Sequence, residues 1–195
     1  LLFLSNGHGE DLIALQVLNA LHQLKPSLSL EVFPLVGEGK VFSAAISQGW
    51  LRRLGPSMRL PSGGFSNQSL RGFFLDIWSG LFQVTWKQFC LIYRGENAER
   101  VIVAVGDLLP LFFAWSSGAY FGFIGTPKSD YTWRSGPGHT LSDHYHRFKG
   151  TEWDPWEYWL MSSSRCKMVA VRDPLTARGL RKLGVAAQAP GNPMM

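Results

Sequence analysis

Short apolar runs alternate along this chain with segments of helical periodicity, and this alternation restricts the fold more than any other feature. The apolar runs predict strands at 1–4, 28–36, 52–60, 100–105, 120–124, 167–171 and 185–189. The periodic segments predict helices at 11–24, 41–46, 69–94, 108–117 and 176–183. Continuously apolar strands with helices between them are typical of a parallel sheet covered on both faces. The sequence therefore predicts an α/β, Rossmann-like domain over residues 1–190.

The loop after the first predicted strand is rich in glycine and leads into the first predicted helix. Ligands of such sheets bind at the carboxyl ends of the strands. Glycines let the backbone turn tightly and approach a ligand, and a helix N-terminus offers free N–H groups. This predicts substrate contacts from Gly7, Gly9, Glu10 and Asp11, with Asp11 also a candidate helix cap. Leu12 replaces the third glycine of a dinucleotide fingerprint, so a dinucleotide site is not expected.

Two side chains near the same predicted edge are candidate bases. His8 places a titratable imidazole in the glycine-rich loop, where it is either a base, a substrate ligand or part of a simple turn. Asp107 follows the apolar segment 103–105 and Gly106. Its carboxylate is suited to cap the next helix, to accept a proton from an attacking hydroxyl, or to do both.

A third loop, Arg172-Asp173-Pro174, directly follows another predicted strand. Asp173 as the N-cap and Pro174 as the first helical residue give a sufficient structural account of those two positions. Arg172 is not explained in this way, and it is a candidate for binding an anionic group.

The segment 127–159 is long and rich in polar and aromatic residues, which predicts a surface or substrate-contacting loop. Its aromatic rings offer faces on which a sugar or a lipid can pack: Trp133, Trp153, Trp156, Tyr158 and Trp159. It also contains His139, Asp143, His144 and His146. No metal site is expected, because their spacing matches no helical histidine pair and no second cluster accompanies them.

The predicted helix at 69–94 is apolar over most of its circumference. Charged residues within it disfavour a membrane-spanning helix. Two interpretations stay open: a helix buried between the sheet and its neighbours, or one that rests in a membrane interface. The second predicts membrane contacts from Arg71, Trp78, Phe82, Trp86 and Arg94.

The charge and cysteine content indicate a cytoplasmic protein at a membrane surface. Residues 51–100 carry seven basic and three acidic side chains, so the basic excess flanks the most hydrophobic stretch and suits an anionic membrane. The chain contains no run of Lys and Arg residues, so the sequence gives no indication of nucleic-acid binding. Cys90 and Cys166 form no Cys-x-x-Cys pair, which makes a reducing compartment the default expectation.

Several segments carry a resemblance to a known family: Gly7-His8-Gly9-Glu10-Asp11, Val105-Gly106-Asp107, Lys128-Ser129-Asp130-Tyr131, Ser142-Asp143-His144-Tyr145-His146, Arg172-Asp173-Pro174-Leu175-Thr176-Ala177-Arg178 and Gly191-Asn192-Pro193-Met194-Met195. Together they resemble the lipid-A-disaccharide synthase-related proteins, mostly known from cyanobacteria. The resemblance implies the N-terminal, acceptor-side half of a GT-B glycosyltransferase fold. It implies that residues 191–195 begin a linker to a donor-binding C-terminal domain, and it adds Asn192 to Arg172 as a substrate contact.

The resemblance also implies an activity. An inverting, metal-independent glycosyltransferase would take a sugar from a nucleotide-sugar co-substrate, such as a UDP-sugar, and transfer it to a lipid-linked acceptor. The protein would need no resident cofactor and would lie peripherally on the cytoplasmic face of the membrane. Asp107 or His8 would be the base. The alternatives are a nucleotide-sugar epimerase of the same fold and a non-catalytic lipid- or sugar-binding module.

Overall fold

The computed structural model describes residues 1–55, 81–94, 100–133 and 136–191, apart from the side chains of His8, Leu81, Phe82, Val84 and Arg94. Within these residues, seven parallel strands form one sheet in the order β3-β2-β1-β4-β5-β6-β7. The strands are β1 (Leu2–Ser5), β2 (Leu30–Pro34), β3 (Leu51–Arg53), β4 (Val101–Gly106), β5 (Tyr120–Gly125), β6 (Cys166–Val171) and β7 (Ala187–Gln188). The predicted α/β, Rossmann-like parallel sheet is confirmed.

Helices lie on both faces of the sheet, as the continuously apolar strands require. They are α1 (His8–Leu24), α2 (Ser43–Ser47), α3 (Leu81–Arg94), α4 (Leu108–Ser116), α5 (Leu141–Lys149), α6 (Pro155–Met161) and α7 (Pro174–Lys182). A short 3-10 helix, Lys40–Phe42, leads directly into α2.

The strands divide their side chains between two hydrophobic clusters. On β1, Leu2 and Leu4 pack into one cluster and Phe3 into the other, because successive strand residues point to opposite faces. The cluster around Phe3 is covered by α1, which contributes Ile13 and Leu18. The cluster on the opposite face takes buried residues from α3, α4, α6 and α7. Both faces of the central strands are therefore buried.

The predicted bounds differ from the structure at several elements. The first helix begins at His8, three residues before the predicted start, and β3 covers only Leu51–Arg53 of the described chain. Residues 56–60 of the predicted third strand lie outside the described residues. The strand β2 is shorter than predicted at both ends.

The prediction of a loop over 127–159 is wrong, because this segment contains α5 and α6. Both helices begin with a capping box, in which the N-cap side chain and the third helical residue bond each other's backbone. The pairs are Thr140 with Asp143, and Asp154 with Glu157. Pro155 also stands at the first turn of α6, a position that favours proline.

Gly106 allows the loop after β1 to pack closely against the end of β4. Its φ of +131° lies in the region that favours glycine. A Cβ atom there would lie 3.1 Å from the Glu10 Cγ and 3.2 Å from the Asn6 Cβ, so the first loop packs directly against the end of β4.

We expect Gly106→Ala to lower the free energy of unfolding by about 1–3 kcal/mol, because alanine is strained at this φ and its methyl group crowds the first loop. Gly9→Ala is the matched control, since a Cβ at Gly9 meets no atom within 4 Å. Urea unfolding of both variants measures the difference. Equal stability of the two variants would contradict this account of Gly106.

Candidate functional site

The loops after β1 and β4 meet at the point where the strand order changes direction. Strands β2 and β3 lie on one side of β1, while β4 to β7 extend on the other. In open α/β sheets this reversal leaves a crevice at the carboxyl ends of the strands, where ligands bind. The glycine-rich loop and Asp107, predicted separately, are brought together here.

The first loop turns directly into α1. Gly7 is the N-cap residue with a φ of +132°, and Gly9 lies in the first helical turn, with open space beside it. His8 is the first residue of α1, and its side chain lies outside the described part of the molecule. Its role as a base stays a prediction.

Asp11 does not cap α1, and that prediction is wrong. The helix begins before it, and Asp11 is only 4% exposed. Its carboxylate accepts a hydrogen bond of 2.5 Å from the Oγ of Ser5, which is itself fully buried. The residue therefore ties the end of β1 to the first turn of α1.

The Asp107 side chain is held at the sheet edge by two donors. Its Oδ1 accepts from the Leu109 backbone N–H at 3.0 Å, which confirms the predicted N-cap of α4, and from the Asn6 amide at 2.7 Å. Burial raises the pKa of this carboxyl above its ordinary 3.8, and these hydrogen bonds with the nearby charge of Lys128 offset the effect only in part.

The side chain of Glu10 lies against Gly106 and accepts a hydrogen bond from a residue that follows a third strand. Its Oε1 accepts a hydrogen bond of 3.1 Å from the hydroxyl of Thr126, which follows β5. The Thr126 backbone N–H donates to the Gly106 carbonyl at 3.3 Å. The ends of β1, β4 and β5 thus form one connected polar edge.

A cleft of about 520 Å³ opens on the α1 side of this edge. Gly9, Glu10, Thr126 and Arg172 are among its lining residues, together with apolar side chains of α1, β5 and β6. Arg172 is exposed there, at the end of β6, and its predicted role in binding an anion stays a prediction. Asn192, the other predicted contact from this end of the chain, lies outside the described residues.

A groove of about 650 Å³ opens on the opposite side of the same edge, between α4 and α6. We call it the α4–α6 groove. Asp107 lies among its lining residues, which are otherwise apolar in the described chain: Leu108, Leu109, Phe112, Trp115, Trp156, Trp159 and Leu160. The prediction that Trp153 offers a face to a ligand is wrong, because this ring is fully buried against Phe123.

Lys128 lies in the loop after β5 and is held by carboxylates of α6 and its cap. Its Nζ is 3.1 Å from an Asp154 oxygen and also contacts the Glu157 carboxylate. Lys149 reaches the other oxygen of Asp154 at 3.1 Å. The pairing raises the pKa of Lys128 in spite of its burial, so the group stays charged near the sheet edge.

A second buried network ties the loop after β5 to the start of α7. Asp173 accepts hydrogen bonds from the Thr176 backbone and side chain and from the Ser129 hydroxyl, at 2.7–2.8 Å. This confirms the predicted N-cap. Asp130 accepts from Thr151 at 2.8 Å, so Asp130 and Asp173 both have structural partners.

The polar residues around 139–146 also have a structural explanation. Thr140 caps α5, and the carboxylate of Asp143, the third residue of the helix, accepts hydrogen bonds from the Thr140 hydroxyl and backbone N–H. The Arg147 guanidinium lies 3.1 Å from the His144 Nδ1. Within the described ranges, no three His, Cys, Asp or Glu side chains are grouped so as to hold a metal ion.

The predicted membrane contacts are only partly described. Arg71 and Trp78 lie outside the described residues, as do the side chains of Phe82 and Arg94. Trp86 is on α3 and is 66% exposed. On the same helix Ile92 is buried, so the described side chains of α3 include both a buried and an exposed side. None of the described helices is both long and apolar enough to cross a membrane.

Sequence reasoning missed two residues of the edge. The sequence predicts no role for Asn6 in the glycine-rich loop, although its side-chain amide donates to Asp107. It predicts none for Thr126 either, although the hydroxyl of Thr126 donates to Glu10. The usable signal was position, because both are polar residues immediately after apolar strands.

No family model, curated protein or solved structure matches this chain. The arrangement of its own residues therefore carries the functional argument.

Asp107 and Asp173 both cap helices, but we expect opposite pH effects when each is changed to Asn. Because the folded pKa of Asp107 is raised, its ionisation costs stability as the pH rises from 3.8 through that folded pKa. Asp107→Asn keeps the acceptor oxygen and cannot ionise. It should be more stable than the parent at pH 7, and this gain should vanish below about pH 3.8.

Asp173→Asn should instead be less stable than the parent at pH 7. Burial alone would raise the pKa of Asp173, but hydrogen bonds from Thr176 and Ser129 outweigh it and lower the pKa. Its stabilisation is therefore present above pH 3.8 and lost as the pH falls through the lower folded value. Urea unfolding across pH 3–8 tests both variants. If both substitutions raised, or both lowered, the free energy of unfolding at pH 7, the predicted difference between Asp107 and Asp173 would be contradicted.

Proposed function

We propose that the protein is the acceptor-side domain of an inverting glycosyltransferase that uses a nucleotide-sugar and a lipid-linked acceptor. One observation carries this proposal. A carboxylate with a raised pKa, Asp107, is fixed at the strand-order reversal between a cleft with polar lining groups and an apolar groove. A raised pKa makes a carboxylate a more effective base near neutral pH.

The proposed step is a single displacement. The acceptor hydroxyl oxygen forms a bond to the anomeric carbon of the sugar, and the bond from that carbon to the nucleoside diphosphate breaks. The electron pair of the broken bond leaves with the phosphate oxygen. The hydroxyl proton passes to Asp107, or to His8 if the imidazole is the base. The hydrogen bonds from Asn6 and the Leu109 N–H position Asp107 for this role.

Arg172 supports the donor side of the proposal. It lines the same cleft as Glu10 and carries a positive charge where an anionic group of the substrates can approach. The resemblance to lipid-A-disaccharide synthase-related proteins assigns the nucleotide to a second domain. We therefore propose that Arg172 meets the diphosphate of a UDP-sugar held by that domain.

The exposed side of α3 supports peripheral association with the cytoplasmic face of a membrane. Trp86, Leu91 and Tyr93 are all more than half exposed. Lys87 is exposed on the same helix, so aromatic rings and a basic group are available together for an anionic interface.

In the full-length protein, which by this proposal includes the donor-binding domain, Asp107→Asn should reduce sugar transfer by about two to four orders of magnitude, the usual contribution of a general base, without loss of the fold. The acceptor-side domain alone is expected to be inactive. Transfer of radiolabelled sugar from UDP-sugars to a lipid extract measures the effect. Glu38→Gln, which alters a surface carboxylate paired with Lys40, is the control and should keep full activity.

His8→Ala decides between the two candidate bases in the same assay. Loss of transfer in this variant with normal activity in Asp107→Asn would assign the base to His8. Normal activity in both variants would contradict the assignment of the base to these two loops. No sugar transfer by the parent protein would contradict the enzymatic proposal and favour a lipid- or sugar-binding module.

Trp86→Ser should reduce co-sedimentation with phosphatidylglycerol vesicles, because the variant lacks an exposed ring that can enter the interface. Binding should also weaken as salt rises, since each basic residue near the surface contributes about 1 kcal/mol at low ionic strength. Tyr131→Ser removes a ring that is 69% exposed in a different loop and serves as the control. Full vesicle binding by a folded Trp86→Ser protein would contradict the proposed membrane contact.

A further inference from the structure

The α4–α6 groove has the size and the lining of a site for an apolar ligand. Its volume of about 650 Å³ is within the range of small-molecule pockets. One wall is formed by Leu108, Phe112 and Trp115 of α4, and the other by Trp156 and Trp159 of α6. Such a lining favours hydrocarbon over a polar ligand.

The groove is open, with its aromatic walls available to a ligand. Phe112 is 40% exposed, Trp156 49% and Trp159 61%. Large rings that remain this exposed on two facing helices indicate a binding surface more than a packed interior. Trp115 and Trp159 approach each other across the two helices, with ring centroids 5.3 Å apart.

The lining of the groove carries little charge, although the guanidinium of Arg165 lies 5.9 Å from the centroid of the Trp115 ring. Asp107 is the only ionisable group among the described residues that line it, and it stands at the sheet edge. A carboxylate there repels an anionic head group and can accept a hydrogen bond from a hydroxyl. The matching ligand has an uncharged, hydroxyl-bearing head and a hydrocarbon chain.

We infer that the α4–α6 groove binds the hydrocarbon chain of the acceptor and places the acceptor's uncharged hydroxyl-bearing head at Asp107, an inference that rests on the proposed glycosyl transfer. The cleft on the α1 side is the less suitable site for the chain, because Glu10, Thr126 and Arg172 put polar groups into its lining. In this arrangement the groove binds the hydrocarbon chain of the acceptor, and the cleft on the other side of the sheet edge faces the charged donor.

Titration calorimetry with alkyl glucosides tests the inference directly. Hexyl, octyl and decyl β-glucoside are used below their micelle concentrations, with no nucleotide-sugar present. Each added methylene group should lower the Kd by about two- to fourfold, depending on how fully it is buried. The Kd should therefore fall by at least about tenfold from the hexyl to the decyl compound.

Variants on the two walls locate the site. Phe112→Glu and Trp156→Glu each place a charge in the groove and should weaken decyl glucoside binding by about tenfold or more. Phe148→Glu is the matched control, because Phe148 is 77% exposed on α5 and is not among the described lining residues. It should bind as the parent does. Melting curves establish whether each variant is folded. If one of the two wall variants does not fold, the binding measurement relies on the other.

The outcomes separate this inference from the proposed function. A Kd that does not depend on chain length, or one unchanged in a folded groove variant, overturns the inference even if Asp107→Asn is inactive in sugar transfer. Chain-dependent binding that both wall variants weaken, and the control does not, supports it. If that binding is found while the parent full-length protein transfers no sugar, the glycosyl-transfer proposal fails and the groove remains an alkyl-binding site.

Discussion

The structure depends on the burial of a parallel sheet on both faces, because every connection between parallel strands must cross one face or the other. In this chain α1 crosses one face, while α4, α6 and α7 pack on the opposite one. The helices switch from one face of the sheet to the other between the neighbouring strands β1 and β4. Where the covering helices separate, the loops at the carboxyl edge are left accessible. The hydrophobic arrangement of the sheet therefore decides where polar chemistry can take place.

At that edge, polar groups from different strands hold one another in place. Asn6 after β1 donates to Asp107 after β4, and Thr126 after β5 donates to Glu10. Gly106 permits this contact, since any Cβ there would meet the first loop. Burial raises the pKa of Asp107, so a group suited to accept a proton also reduces stability when ionised. Such a cost is typical of functional sites.

The polar residues near the edge separate into structural and accessible groups. Asp11, Asp130 and Asp173 have buried or partly buried hydrogen-bond partners that join elements of the fold. Lys128 is held by two carboxylates close to the edge. Arg172 remains exposed beside the cleft. The segments on which the proposed glycosyltransferase function rests therefore contain residues of both kinds, and only the accessible ones are candidates for contacting a substrate.

The sequence by itself determined the α/β class and the helix caps at Asp107 and Asp173, because strand apolarity and capping depend on neighbouring residues. It also contains the capping boxes of α5 and α6, whose residue pairs lie three positions apart. Only the tertiary structure decided that Asn6 meets Asp107, 101 positions away, because strand order is not a local property. It also decided that Trp153 is buried whereas Trp156 and Trp159 line a groove, since the burial of a ring depends on which elements pack over it.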